Sequence, residues 1–515
     1  MILMGKQINS EALGKFYKGG KTRTRREWRG IKDTWYDYTC WLGNWGHMIK
    51  LLLNPQCFKG FFRYRYMQNY LAVPDFLDRH TEGLRGPQLR VAHKEFDFIV
   101  AHMCQTMTLI FEADQRIGGD PEKSKKIVIL DENMMSQVMN GFPNLHGVCM
   151  QIPPIYTAST MQQEGVLHYI DKAQEFGIPG DVCPMPAAEL GVALEDDYPI
   201  CGICALQCNT TCDGSLMGNG IEERRYNLPT FQIAVPIRYT DEETKDYAAN
   251  EIKNAIKFIE EQTGETFDWD HYFKCMKTFN KETEYFCDWL EISRTKYPQV
   301  IGNNVALYRD AYYQVAGGRD EAFMHNEKEI CDIMMKAYNE KNPVVSQVRH
   351  RAILWGVQAQ YYSAFPIWLQ NCWGIVPLID MLSLTSTEQY STTDKEQAYY
   401  DLADLYSKMN MRNRSEGGYE VGVEDLWHFC SEFDADIVIM YEHIGCKSMT
   451  GYHGLFEQEA QKRGLHLIWV THGLMDPRKA SRQNMRSEVN RYMRTILNEE
   501  PLDASLEEFE DGNAW

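Results

Sequence analysis

From residue 127 onward the chain repeats one texture: a short apolar run, a turn, then an amphipathic helix. The apolar runs are Ile127–Leu130, FQIAV at 231–235, RAILWG at 351–356, ADIVIMYE at 435–442 and LHLIWV at 465–470. Each is too short and too uniformly apolar for a solvent-facing element, so it reads as a buried strand. Helical spacing occupies 244–262, 269–293, 321–339, 395–409, 423–433, 454–463 and 480–497, with Asp268 or Asp270 as a cap at the second of these. The 362–373 stretch packs as a helix behind its strand. Strands alternating with helices at this pitch imply parallel sheets covered on both faces, with the chemistry at the carboxyl ends of the strands.

The expected architecture is therefore α/β, with two Rossmann-like parallel-sheet domains and an additional helical N-terminal domain. The expected boundaries are 1–125 for the helical extension, 126–345 for a first α/β domain with a helical insert, and 346–515 for a second α/β domain. Residues 1–30 are polar and locally basic and read as a surface arm. Residues 31–125 are aromatic-rich and helical, ending at the turn around Gly118. The acidic tail from Asn498 is expected to fray.

At 515 residues and a formal charge of −19, the chain is long enough for several domains and too acidic for non-specific nucleic-acid binding. No apolar run approaches the length of a membrane span, and no leader is visible at the N-terminus, so a cytoplasmic protein is expected. Fifteen cysteines, an odd number, suit metal or cluster ligation better than a disulfide framework in such a setting.

Nine of these cysteines (40, 57, 104, 149, 275, 287, 331, 372 and 430) lie on apolar backgrounds and read as small buried hydrophobes. Three others lie on loops. Cys183 sits in IPGDVCPMPAAE, Cys212 in QCNTTCDGS, and Cys446 in YEHIGCKSMTGYHG just past a strand. Loops placed at strand ends on a rigid sheet are frequent ligand positions. Three thiolates from separate segments suffice to hold a cubane cluster and leave one iron without a cysteine. A competing set, Cys201, Cys204, Cys208 and Cys212, has zinc-compatible spacing but lacks two separated knuckles; on a helix it would simply line one face.

These segments carry a family resemblance. QCNTTCDGSLMGNGIEERRYNLPTFQIAVP, IVIMYEHIGCKSMTGYHGLFEQEAQKRGLHLIWVTHGLMDPRKAS and GIPGDVCPMPAAELG resemble, in order and spacing, the signatures of the 2-hydroxyacyl-CoA dehydratase / benzoyl-CoA reductase family. The resemblance runs from about Ile152 to Leu497. It implies that Cys183, Cys212 and Cys446 ligate one [4Fe–4S] cluster, and the Lys after Cys446 is most similar to the larger subunit of 2-hydroxyglutaryl-type dehydratases. It also implies a heterodimer with a second related subunit, an acyl-CoA substrate, and a separate ATP-dependent iron-sulfur activator. Two features depart from the pattern: Ser487-Glu488, preceded by Arg486, stands where a Thr-Arg pair is usual, and the helical N-terminal portion is longer.

The implied reaction is loss of water from a 2-hydroxyacyl-CoA through a ketyl radical started by one electron from the activator, with sensitivity to oxygen. Candidate catalytic groups beside Cys446 are His443, Glu442 and Ser448. His453, Thr450 and Glu189 are weaker candidates. Two other readings stay open: a benzoyl-CoA reductase-like or double-cubane reductase subunit, in which Cys201, Cys204 and Cys208 take part, and a non-catalytic partner subunit. The chain has no G-x-G-x-x-G, Walker A or Ser-His-Asp pattern, which places ATP hydrolysis on another protein.

Overall fold

A computed structural model describes residues 30–73, 81, 83–131, 136–208, 212–236, 238–239, 241–299, 308–309, 318–409, 411–415 and 417–507. The N-terminal arm and the last eight residues of the acidic tail lie outside the described residues. Among the described residues, the long helices α1 (Ile31–Leu53), α2 (Pro55–Arg63) and α3 (Gly86–Ala113) precede the first strand. Asn54 caps α2 by accepting from the Gln56 and Cys57 amides.

Two four-stranded sheets follow, and every described strand pairing is parallel. The first contains β1 (Ile127–Leu130), β2 (His146–Cys149), β3 (Cys204–Cys208) and β4 (Thr230–Ile233), in the order β2-β1-β3-β4. The second contains β5 (His350–Trp355), β6 (Ile375–Asp380), β7 (Ile437–His443) and β8 (His466–His472), in the order β6-β5-β7-β8. The order is the same in both. Each sheet reverses direction between its first and third strands, which is where ligands bind in open α/β sheets.

The helices between and after these strands include α4 (Leu167–Phe176), α5 (Pro184–Leu194), α6 (Asp213–Tyr226), α7 (Glu242–Thr263), α8 (Trp269–Ser293), α9 (Glu321–Asn339), α10 (Lys395–Ser407), α11 (Tyr419–Glu432), α12 (Lys447–Gly451), α13 (His453–Arg463) and α14 (Arg482–Thr495). Helices α8 and α9 span the residues expected, and Asp268 caps α8 by accepting from the His271 amide. The α/β class with a helical N-terminal region is what the sequence pattern predicted.

Burial explains why the strands are apolar throughout. Ile353, Trp355, Val438 and Met440 belong to one core of the second sheet, and Ala352, Leu354, Ile437 and Ile439 to another. Alternate residues therefore face opposite, equally buried sides, as in a parallel sheet under helices on both faces. The first sheet shares a single core with the N-terminal helices: Leu51, Val91, Phe96 and Phe111 pack in the same cluster as Ile127 and Ile129.

Two expectations need correction. The tail does not fray at Asn498. The Leu502 amide donates to the Cys372 carbonyl at 2.7 Å, the Trp368 indole N–H donates to the Leu506 carbonyl at 2.9 Å, and Leu506 is buried. An apolar side chain and paired charges (Arg494 with Glu500 and Glu507) hold this acidic segment down. The 201–212 cysteine run is also neither a helix face nor a zinc knuckle. Cys204 and Cys208 stand at the two ends of β3, about 13 Å apart at roughly 3.3 Å per residue, too far for one ion. Cys201 and Cys204 are buried; burial pushes the Cys204 thiol up to about 12 and raises that of Cys201 further, so both are protonated core thiols.

Candidate functional site: three helix-capping cysteines at the junction of the sheets

Cys212 and Cys446 occupy equivalent places in the two sheets. Cys212 lies four residues past β3, and Cys446 three residues past β7; both strands flank the point of reversal. Cys183 comes from a different place, the loop between α4 and α5. All three stand immediately before a helix, at the N-cap position of α5 (Cys183), α6 (Cys212) and α12 (Cys446), with no capping hydrogen bond from the side chain. All three have extended ψ angles, between 100° and 127°, and all three are half-buried. Pro184 at the first position of α5 fits this geometry, since a proline there loses no helical hydrogen bond.

Close backbone approach brings these loops together. A methyl group on Gly445 would lie 2.9 Å from Cys183 Cα and 3.1 Å from Cys183 N, so only glycine lets the Cys446 turn reach the Cys183 loop. A methyl group on Gly214 would lie 2.6 Å from Pro186 Cγ and 3.6 Å from Cys212 Sγ. Gly214 thus stands beside both the Cys212 thiol and the first turn of the helix that follows Cys183. Lys447 and Lys479 reinforce the junction: Lys447 Nζ is 3.3 Å from Asp181 Oδ2, and Lys479 Nζ donates to the Val182 carbonyl at 3.3 Å. Lys479 is half-buried, and burial lowers its pKa.

His443, the last residue of β7, is 3% exposed, and its Nε2 makes no hydrogen bond among the described residues. The same Nε2 would meet a methyl group on Gly445 at 3.0 Å, so it lies beside the Gly445–Cys183 approach. Its ring stacks on that of His472, with centroids 5.6 Å apart. Burial, then His472 and the two lysines, push the His443 pKa well below its ordinary value; burial takes His472 down to about 3. Both rings are neutral at pH 7, and His472 Nδ1 accepts from the Leu474 amide at 3.0 Å.

The other candidates are engaged elsewhere. Glu442, adjacent on the strand to His443, points to the opposite side of the sheet. There it meets His453 Nδ1 at 3.3 Å and accepts from the Thr471 hydroxyl at 3.2 Å. Ser448 donates to the Ser415 carbonyl at 3.2 Å, and Thr450 to the Cys446 carbonyl at 3.0 Å. Glu189 is buried on α5 against Gly218 of α6. Sequence reasoning missed Gly445, Lys479 and His472. The glycine before Cys446 and the lysine in DPRKAS were visible, but only the fold shows what they touch.

Two four-stranded parallel sheets of the same strand order, with loops that meet where Gly445 packs on Cys183, define the class of fold. The family model for the 2-hydroxyglutaryl-CoA dehydratase D-component matches residues 150–493, about two-thirds of the chain, and the protein belongs to that family. The match begins after α1–α3 and after strands β1 and β2. No curated protein matches the sequence.

Proposed function

We propose that this chain is the iron-sulfur component of an oxygen-sensitive 2-hydroxyacyl-CoA dehydratase, working with a second related subunit and an ATP-dependent activator. What supports the reading is that Cys183, Cys212 and Cys446 are half-buried residues at helix N-cap positions on three separate loops, with Gly445 packed against the Cys183 backbone and Gly214 beside both Cys212 and Pro186 of the helix that follows Cys183. Cys183, Cys212 and Cys446 would hold a [4Fe–4S] cluster. When bound, such a cluster supplies a low-potential electron and an iron without a cysteine that can polarise a substrate oxygen.

The donor set fits. The amino ends of two helices and two lysines oppose the negative charge of a thiolate-ligated cluster. Half-burial leaves an approach for an acyl thioester while restricting water. His443 Nε2 is a buried edge with an unspent hydrogen bond. Because the ring is held neutral, it serves as a hydrogen-bond donor to a sulfur or a substrate oxygen, rather than as an imidazolium acid. The Ser448 hydroxyl and Glu442 carboxylate, already bonded to their neighbours, act by holding the Cys446 turn and strand β7 in place.

The test is anaerobic reconstitution with the partner subunit and activator, measuring loss of water from a panel of 2-hydroxyacyl-CoA thioesters. Turnover that requires ATP and collapses on exposure to air supports the reading. Full activity after prolonged aerobic handling, or reduction of the thioester with no loss of water, contradicts it.

A further inference from the structure

A second set of ligating groups lies far from these cysteines, in the N-terminal helices that the family match leaves out. Cys40 of α1 was expected to be a buried apolar filler. It is half-buried, and its Sγ lies within 4.8 Å of ligand atoms of both His93 and Asp97 on α3, which are mutually within the same distance. His93 and Asp97 are one helical turn apart and share a face of α3. Asp37, Cys40 and Asn44 share the facing side of α1 by the same spacing.

The hydrogen bonds around His93 determine which of its nitrogens is available. His93 Nε2 and Asp37 Oδ1 are 2.7 Å apart, so Nε2–H donates to the carboxylate. Nδ1 is buried and makes no hydrogen bond among the described residues; Asp97 Oδ1, facing it, is 3.6 Å away. That separation is too long for a hydrogen bond. It is close to what one tetrahedral ion requires: with Zn–N and Zn–O bonds near 2.1 Å, the two donors stand about 3.4 Å apart. Asn44 Nδ2 donates to Asp97 Oδ1 at 2.6 Å and orients that carboxylate. A histidine held by a carboxylate through one nitrogen, with the other nitrogen bare, is the usual outer support of a metal-ligating imidazole.

The Tyr36 ring packs edge-on against His93, with centroids 5.6 Å apart, and the Arg90 guanidinium lies over the outer Tyr36 ring, 5.0 Å from its centre. Arg90 is paired with Asp33 at 2.9 Å rather than with Asp97.

We propose that Cys40, His93 through Nδ1, and Asp97 form a zinc site that clamps α1 to α3, with Asp37 and Asn44 as its outer supports. Sulfur, nitrogen and oxygen donors together suit zinc, whereas calcium and magnesium prefer oxygen donors alone. Asp97 is 37% exposed at its side chain, which leaves room for water as a fourth ligand.

The experiment is zinc analysis and zinc K-edge X-ray absorption on the full-length protein, for wild type, Cys40→Ser, Asp97→Asn and Cys212→Ala. The expected result is about one zinc per wild-type chain, with one sulfur near 2.3 Å and nitrogen or oxygen near 2.0–2.1 Å. Cys40→Ser and Asp97→Asn should each weaken zinc binding at least tenfold, and Cys212→Ala should keep it. The wild-type spectrum stands whether or not a variant folds. Wild-type protein that takes up no zinc from micromolar solution overturns the proposal. So does a zinc shell without sulfur, or zinc that is lost with Cys212→Ala and kept with Cys40→Ser.

Discussion

The two sheets place a cysteine at the same point of the same strand order, but they fix it by different means. In the first lobe, β3 is followed by Cys212 and a 14-residue helix whose first turn packs on Pro186 of the neighbouring α5. In the second, β7 runs two residues longer than β3, and Cys446 sits in a tight turn before a five-residue helix. There the turn is held from both sides, by Cys183 across from Gly445 and by the buried His443 and His472 rings. One cysteine is positioned by the length of a helix and the other by the closeness of two backbones. The second arrangement tolerates less.

The largest effect expected is the loss of either ligand. Cys212→Ala and Cys446→Ala should each bring turnover below detection in the reconstituted assay. If one variant retained substantial activity, the two positions would not be equivalent.

The buried histidines should make the second lobe the acid-sensitive one. His472 titrates near 6.5 when unfolded and about 3 in the fold. Between those values the unfolded chain binds more protons, so stability is full above about pH 6.5 and falls as pH drops toward 3. At about 1.4 kcal/mol per unit the full effect is a few kcal/mol. Hydrogen exchange at falling pH should expose β7 and β8 before β1 and β3, and His472→Gln should flatten that slope. Earlier opening of the first sheet would break the comparison.

Gly445→Ala should cost about 1–3 kcal/mol, as an added methyl in a filled space does, and should lower activity by parting the Cys183 and Cys446 loops. Gly451→Ala, where a methyl meets nothing within 4 Å, is the matched control, and thermal melts of the two sharpen the contrast. The smallest effect belongs to Lys447→Ala. Its ion pair with Asp181 is 67% and 72% exposed, so stability should change by about 0.2–1 kcal/mol, and less in high salt.

Much of this was legible in the chain. β1, β5, β7 and β8 announce themselves as continuous apolar runs because both faces of a parallel sheet are buried. The three candidate ligands stand out because turn-forming residues surround each of them. The elements that escaped notice have physical reasons for it. β6 carries Pro377, which the sheet accepts because β6 lies at the edge and its register with β5 slips between Ala352 and Ile353. β2 is four residues long and begins at the exposed His146. β3 is masked by the cysteines it carries. The shared strand order has no counterpart in repeated sequence, because topology is kept by burial patterns rather than by particular residues. The Cys40 group was invisible for another reason: its ligands lie 53 and 57 positions apart on two helices, and only the His93–Asp97 spacing hinted at a shared face.

The central claim is that three loops converge to hold one cluster. It is tested most directly by iron and acid-labile sulfide per chain on anaerobically purified protein, for wild type, Cys212→Ala and Cys446→Ala. About four irons with equal sulfide in the wild type, lost in both variants, is the predicted result. Wild-type protein without iron, or iron and sulfide unchanged in either variant, would contradict it.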